Sequence, residues 1–456
     1  MLHQHMNKLF EKYGLSVNVE EQLSEVTTNL QDANSNYIVF YRLLDNEKSQ
    51  VAFQKRLKGI NPGLLVLSHE PTSKISIPYV VLPFEKFLPF QKELCDILYP
   101  QSFEVKLIGV TGTNGKSTVV HLCHEILKAN NYKSFTIGTI GIFDGEKEIH
   151  PAPGATTPSY VDLRRVLHKL HEYDFACLEV SSHALDQDRL NGITLACAGW
   201  TNLTQDHLDY HGTMEEYFHA KSLIKKSTEK DIVIPHGESD LENLLREKSL
   251  SYKVGKVVNV EDFDESFKLE YNKRNLSVAI SLVEEAIGKK AVIPKSISLP
   301  KGRYNTFRFK KSLYVVDYAH TPDAIENVVG ETKKAFPNAE IITIFGCGGD
   351  RDRKKRPLML EAALKYSDKV VVTTDNPRTE KPEAIIKDAV EGREDHQNVT
   401  TIVNRKEAIE RYVRDYSRET IVVIAGKGHE EYQEVNGVKN FFSDIETVKN
   451  KIKELS

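Results

Sequence analysis

The residues best placed for chemistry stand in the turn Gly112-Thr113-Asn114-Gly115-Lys116-Ser117-Thr118. An apolar run at 105–110 precedes it and a helical stretch at 119–128 follows it. Backbone N–H groups at such a helix start are predicted to cradle phosphates. Lys116 would then reach the β- and γ-phosphates, and the Ser117 hydroxyl would ligate Mg2+. Val110 takes the place of the first glycine in the strict phosphate-loop pattern. A glycine-rich turn that binds nothing is the competing reading, and Gly-Lys-Ser between a strand and a helix argues against it.

Further candidates follow. Glu179 ends the apolar run 175–178, where a carboxylate near a phosphate loop holds Mg2+ directly or through water. The segment Asn202-Leu-Thr-Gln-Asp-His-Leu-Asp-Tyr-His-Gly212 packs two His and two Asp into six residues. It reads equally as a metal site or as a polar loop. Lys221 soon follows and, taken alone, is a surface helix lysine. Nearer the C-terminus stand Asp317-Tyr-Ala-His320, Gly346-Cys-Gly-Gly-Asp-Arg351, Asp375-Asn-Pro-Arg378 and Gly426-Lys-Gly-His-Glu430. Alone, Asp-Asn-Pro-Arg is a type I turn.

The elements that must position these residues alternate. Strand-like runs at 313–317, 341–345, 369–374 and 420–425 are separated by helical stretches such as 357–366 and 382–391. This alternation predicts an open, mostly parallel sheet, whose ligands bind beyond the carboxyl ends of its strands. Each polar cluster follows directly on one of those runs. Short apolar runs at 37–41, 63–67 and 79–82 predict a small α/β unit at the N-terminus. Leu98-Tyr-Pro-Gln101 reads as a link, and the Pro/Gly-containing stretch 297–302 as a second boundary. The expected organisation is α/β with three domains, at 1–98, 99–298 and 299–456. The first is the small α/β unit, the second a phosphate-loop ATPase-like, mostly parallel sheet, and the third a Rossmann-like open sheet.

Composition narrows the class. With 61 basic and 65 acidic residues and a net charge of −4, no electrostatic footprint for nucleic acid exists. Five scattered cysteines without a CxxC pair point to reduced thiols rather than a disulfide framework. No apolar stretch approaches the roughly 18 residues needed to span a membrane, and the first residues lack a signal-peptide core. A cytoplasmic protein without membrane insertion, working as a monomer, is expected.

In order, the motifs GTNGKS, TTP (156–158), EVSSHAL (179–185), NLTxDHLDYHG (202–212) and AK (220–221) resemble the Mur ligase family, and within it the MurE type. The C-terminal clusters resemble the third domain of that type. The resemblance is strong over 107–221 and 313–444. It implies that Gly112 to Thr118 bind ATP, with Asn275 on the adenine, Asp317 near the ribose and Arg303 close by. Lys116, Glu179, His207 and Lys221 form the catalytic set. Ser117, Glu179, His207 and a carbamylated Lys221 are the expected holders of Mg2+. Carbamylation turns a cation that repels metal into an anion that binds it. Thr156, Thr157, Ser182 and Arg189 match contacts to the nucleotide-sugar dipeptide. Arg351, Asp375, Asn376, Arg378, Gly426 and Glu430 match the amino-acid pocket. Family members carry Asp-Ser-Arg near the uridine contact, where this chain has Asn29-Leu30-Gln31.

The resemblance implies an ATP-dependent ligase that adds meso-diaminopimelate to UDP-MurNAc-L-Ala-D-Glu in peptidoglycan precursor synthesis. The physical chemistry agrees, because diaminopimelate differs from lysine by a distal carboxylate that Arg378 can clamp with a bidentate, charge-assisted pair. The alternatives are a related amide ligase with another acceptor or amino acid, and a nucleotide-binding regulator that no longer ligates.

Overall fold

A computed structural model describes residues 2–17, 22–139, 141–145, 147–150 and 155–456. Among them the strands form three main sheets and one hairpin, and the chain divides into two compact units. The first holds 1–256 with 277–293, and the second holds 257–276 with 294–456.

The first unit carries two sheets. Four parallel strands, Glu25–Thr27, Tyr37–Tyr41, Leu64–Leu67 and Tyr79–Val81, follow one another in chain order. Period-two alternation makes both of their faces apolar. Ile38, Phe40, Leu64 and Val66 join the large core of the unit. Val39, Leu65 and Leu67 turn the other way, onto Leu30, Leu43 and Phe53. The segment 98–101, expected as a link, is packed. Pro100–Phe103 is a 3-10 turn, and Arg164, fully buried, donates to Ser102 Oγ (2.5 Å), Tyr160 Oη (2.6 Å) and Asp96 (2.9 Å).

The larger sheet of this unit has the order Tyr252–Val254, Ile232–Ile234, Leu195–Trp200, Lys106–Thr111, Phe175–Glu179, Ser134–Gly138, Gly141–Phe143, Glu148–His150. The strands are parallel up to Ser134–Gly138 and antiparallel beyond it. Lys106–Thr111 is central, and almost every residue of it and its neighbours is buried. Continuous apolar runs of this kind suit a sheet covered on both faces. The order places the ends of Lys106–Thr111, Phe175–Glu179 and Leu195–Trp200 side by side.

The second unit has an antiparallel edge strand, Asn305–Phe309. Five parallel strands follow in the order Ser312–Asp317, Thr420–Ala425, Glu340–Cys347, Lys369–Thr374, Val399–Thr401. This is the open sheet expected from the alternation, and Tyr314, Val316, Ile342, Ile344, Val422 and Ile424 pack one of its faces. Helices Lys355–Leu364 and Pro382–Ala389 lie close to the expected 357–366 and 382–391.

Candidate active site

The phosphate loop leaves the strand Lys106–Thr111 and enters the helix Lys116–Ala129. At Gly112, φ is +142°, and a Cβ there would sit 1.9 Å from Thr201 Oγ1, so no other residue fits. The loop is clamped from the neighbouring strand end. Thr201 Oγ1 donates to Asn114 O (2.5 Å), and Asn114 N donates to Asn202 Oδ1 (2.9 Å). Thr113 Oγ1 donates to Thr204 O (3.1 Å) and accepts from Tyr217 Oη (3.2 Å). The Asn202-Leu-Thr204 part of a run that suggests a metal site thus braces the loop. Among the described residues no group of three or more His, Cys, Asp and Glu gathers as a metal site.

Two lysines meet at one carbonyl. Lys116 Nζ donates to Gly112 O (2.8 Å) and Thr113 O (2.8 Å), and Lys221 Nζ donates to Gly112 O (2.9 Å). Lys221 is only 1% exposed, which removes the surface reading. Burial, reinforced by the Lys116 charge, lowers its pKa from 10.5 to about 6. At neutral pH its amine is therefore largely uncharged and nucleophilic.

Glu179 ends its strand buried, its carboxylate accepting from Thr139 N (3.2 Å) and Thr139 Oγ1 (3.3 Å). Thr139 Oγ1 also bonds Thr156 Oγ1 (3.0 Å). Thr157 is buried and donates to Glu179 O (2.8 Å), while Arg189 Nη1 donates to Thr157 O (2.7 Å). Ser182 is buried against His211 Nε2 (2.9 Å). The structure therefore brings Glu179, Thr156, Thr157 and Arg189 together. His207 adopts φ +53°, and its ring packs on His183 at 5.0 Å. No hydrogen bond or ion pair joins His207 to Glu179 or Lys221 among the described residues.

In the second unit the expected rim forms at the carboxyl ends of four adjacent strands. Asp317 accepts from Tyr304 N (2.8 Å) and Ala319 N (2.8 Å), and its main-chain O accepts from Gly426 N (3.1 Å). Burial raises the pKa of its carboxyl. The Arg303 guanidinium lies 5.1 Å from the Tyr318 ring centroid, and Asn275 is buried on the helix Glu270–Ile287. Arg378 holds φ +50° because its main chain is pinned to the hairpin Tyr432–Val435/Val438–Phe441: Arg378 N donates to Glu434 O (3.0 Å) and Asn436 N to Arg378 O (2.7 Å). Its Nη1 donates to Gly349 O (2.7 Å), and its Nε lies 3.6 Å from Glu434 Oε2. A Cβ on Gly349 would meet Pro377 O at 1.9 Å, so the two loops touch backbone to backbone. Gly348 lies between the arginines, with its Cβ position 3.1 Å from Arg378 Nη1 and 3.5 Å from Arg351 Cγ. Arg351 is exposed and its guanidinium makes no hydrogen bond among the described residues.

Behind the rim lie buried charged residues outside the expected set of site residues. Lys427, fully buried, donates to Glu430 Oε2 (2.9 Å) and Asn376 Oδ1 (3.1 Å) and sits 3.5 Å from Asp375 Oδ1. Burial raises the Asp375 pKa. Burial also pushes Glu430 up, but the hydrogen bond and charge of Lys427 together with the Asn376 bond outweigh it and leave Glu430 below the usual range. Arg405 and Asp444, both fully buried, form a bidentate pair (2.8 and 2.7 Å). Arg356 ties Gly348 O to Glu380 and Asp388. Lys427 stands inside Gly426-Lys-Gly-His-Glu430, so its position in the chain does signal it. Arg405 and Asp444 stand in ordinary helical sequence and carry no such signal.

Comparison with known proteins agrees with this geometry. The family model described as the Mur ligase middle domain matches residues 110–297, and that described as the Mur ligase, glutamate ligase domain matches 302–428. A UDP-N-acetylmuramoyl-L-alanyl-D-glutamate--2,6-diaminopimelate ligase of Aquifex aeolicus is 37% identical over 460 residues, spanning 94% of this chain and 93% of that protein. The enzyme of the same name from Clostridioides difficile is 38% identical over 76% of this chain and 78% of its own length. A solved structure of a ligase of this name superposes with a TM-score of 0.62 at 29% identity, covering 98% of both chains. The MurF ligase of Thermotoga maritima, solved with ADP, shares the fold at 14% identity with a TM-score of 0.57, over 96% of this chain and 99% of its own. No helix among the described residues is long and apolar enough to cross a membrane. With both family models matched and a relative 37% identical over 94% of this sequence, the chain belongs to the Mur ligase family.

Proposed function

We propose that this chain is an ATP-dependent ligase that joins meso-diaminopimelate to the D-Glu γ-carboxylate of UDP-MurNAc-L-Ala-D-Glu. The observation that carries the reading is the pair Arg351 and Arg378 on either side of Gly348 at the end of an open parallel sheet. Arg378 has Nε turned to Glu434 and Nη1 to Gly349, which leaves the far edge of its guanidinium for a distal carboxylate. Lysine would leave that edge of the cation without a carboxylate, at a cost on the order of 2–5 kcal/mol.

In this reading the loop 112–118 holds the ATP phosphates, with Lys116 swinging from its loop carbonyls to the β- and γ-phosphates. The D-Glu carboxylate oxygen bonds to the γ-phosphorus as the bond to ADP breaks. The diaminopimelate amine then attacks the acyl carbon, and phosphate leaves with the acyl oxygen. Arg189, Thr156, Thr157 and Ser182 orient the dipeptide. Asn275, Arg303 and Asp317 serve the nucleoside. Asp375, Asn376, Gly426 and Glu430 take the amino-acid ammonium and main-chain side of the pocket.

The donors fit magnesium. Mg2+ favours oxygen ligands, keeps several waters and needs only one or two carboxylates beside phosphate, which suits the Ser117 hydroxyl and the Glu179 carboxylate, with His207 as a further ligand, rather than a closed protein cage. Bound there it would offset charge between the anions. The uncharged Lys221 amine is the form that adds CO2, so a carbamate at this position supports a second ion. Five buried free cysteines suit a reducing cytoplasm.

A second reading, the same ligation on another acceptor, has one observation in its favour. Where the family carries Asp-Ser-Arg, Asn29 caps a 3-10 turn through Gln31 N (3.2 Å) and Leu30 is buried. The test for both is phosphate release with ATP and Mg2+, crossing UDP-MurNAc-L-Ala-D-Glu and UDP-free MurNAc-dipeptide with diaminopimelate and lysine. Release with the UDP acceptor and diaminopimelate alone is expected. Release with the UDP-free acceptor alone would select the second reading, and release with neither would reject both.

A further inference from the structure

The buried cation Lys427 has no part in the chemistry described above. Its ammonium sits among the groups assigned to the ammonium side of the pocket: Glu430 Oε2 at 2.9 Å, Asn376 Oδ1 at 3.1 Å and Asp375 Oδ1 at 3.5 Å. Asn376 Nδ2 donates to that same Glu430 oxygen (2.9 Å). Two donors therefore converge on Oε2, and Oε1 has no hydrogen-bond partner among the described residues. A carboxylate held by one oxygen in this way cannot rotate without breaking two bonds. Its other oxygen is presented in a single direction.

The charge count points the same way. Arg405 is engaged by Asp444 through two bonds and its charge also bears on Asp375, whereas Lys427 is the cation that bonds Glu430 directly. Without Lys427, two acids would share a desolvated corner, and one of them would take up a proton. A protonated Glu430 would meet a substrate ammonium without charge. With Lys427 beside it, Glu430 is held below the usual carboxylate range and keeps its charge for one incoming ammonium. Asn376 Oδ1 also accepts from Glu434 N (2.9 Å), which ties this corner to the strand that pins Arg378.

Resting on the ligase reading above, we propose that Lys427 is a positioning residue for the amino-acid substrate: it locks Glu430 through Oε2, keeps it ionised, and so aims Oε1 at the substrate ammonium. It acts through Glu430 and touches no reacting atom.

The test is a double-mutant cycle on the full chain with Lys427→Met and Glu430→Gln, followed by phosphate release, with KM measured separately for meso-diaminopimelate and for ATP. Each single variant should raise the diaminopimelate KM by about tenfold or more, as for a charged hydrogen bond. The ATP KM should stay within about twofold, and the double variant should be no worse than Glu430→Gln alone. Lys427→Gln, which keeps a donor but no charge, replaces the methionine variant if the latter does not fold, with the same expectation. A diaminopimelate KM within about twofold of wild type in Lys427→Met, or full additivity in the double variant, would overturn the proposal. Wild-type protein showing no diaminopimelate-dependent release would instead overturn the ligase reading, and the proposal with it.

Discussion

The phosphate loop and the amino-acid pocket both sit at the carboxyl ends of parallel strands, yet they are made of different material. The loop is a main-chain device. Its shape comes from Gly112, from the Thr201 hydroxyl and Asn202 amide that grip the loop backbone, and from the Thr204 main chain that holds the Thr113 hydroxyl. The pocket is a side-chain device. Its shape comes from buried charges that neutralise one another, Arg405 with Asp444 and Lys427 with Glu430 and Asp375. Phosphates offer many equivalent oxygens and can be met by generic backbone N–H groups. Telling diaminopimelate from lysine requires placed charge, and placed charge needs a counter-charge behind it.

This contrast can be broken at several points. The largest effect is expected for Arg405→Met, which leaves Asp444 buried without a partner; urea unfolding should show a loss of about 3–5 kcal/mol, most of it recovered when Asp444→Leu is added. If the single variant is as stable as wild type, the pocket is not held by internal charge balance. Lys116→Ala should lower kcat on the order of 10²–10³-fold, because the loop then lacks its one cation at the transferred phosphoryl group. A kcat near wild type would remove Lys116 from the chemistry. Arg378→Ala should reduce kcat/KM for diaminopimelate by about 2–5 kcal/mol while the ATP KM holds. An equal loss in lysine turnover would mean that the arginine supports the loop rather than reading the carboxylate.

Thr201→Val tests the main-chain side more gently. It removes the 2.5 Å bond to Asn114 O, and we expect about 1–3 kcal/mol in stability together with a raised ATP KM. The last test concerns pH. The Lys221 pKa is lowered in the fold from 10.5 to about 6, so the unfolded chain binds more protons between those values and stability rises with pH across that window. Lys221→Met should flatten the slope, seen as a smaller gain in Tm between neutral and alkaline buffers. An unchanged slope would place Lys221 in water in solution.

Much of the site is legible in the amino-acid order alone. Gly-Lys-Ser between an apolar run and a helix announces a phosphate loop, and polar clusters placed directly after four strand-like runs announce the rim of a parallel sheet. Those signals are local, set by chain geometry over a few residues. The brace from Asn202 to Thr204 is visible as residues but not in its role, because a run of His and Asp looks like a metal site whatever its backbone is doing. The segment 98–101 reads as a link, and in the fold its Tyr99 is buried and accepts from Arg164 through its main-chain carbonyl.

The order of elements, the phosphate loop and the arginine that follows Asp-Asn-Pro are all written along the chain, since each depends on near neighbours in sequence. The state of the charges is not, and it emerges only when the chain is folded. Lys221 is a surface lysine or a buried, largely uncharged amine according to whether Gly112 and Lys116 lie beside it. Lys427 is one more lysine until Asp375, Asn376 and Glu430 are folded around it. The reason is desolvation: the free energy of a charge is set by everything within a few ångströms in space, and residues from distant parts of the chain supply most of it.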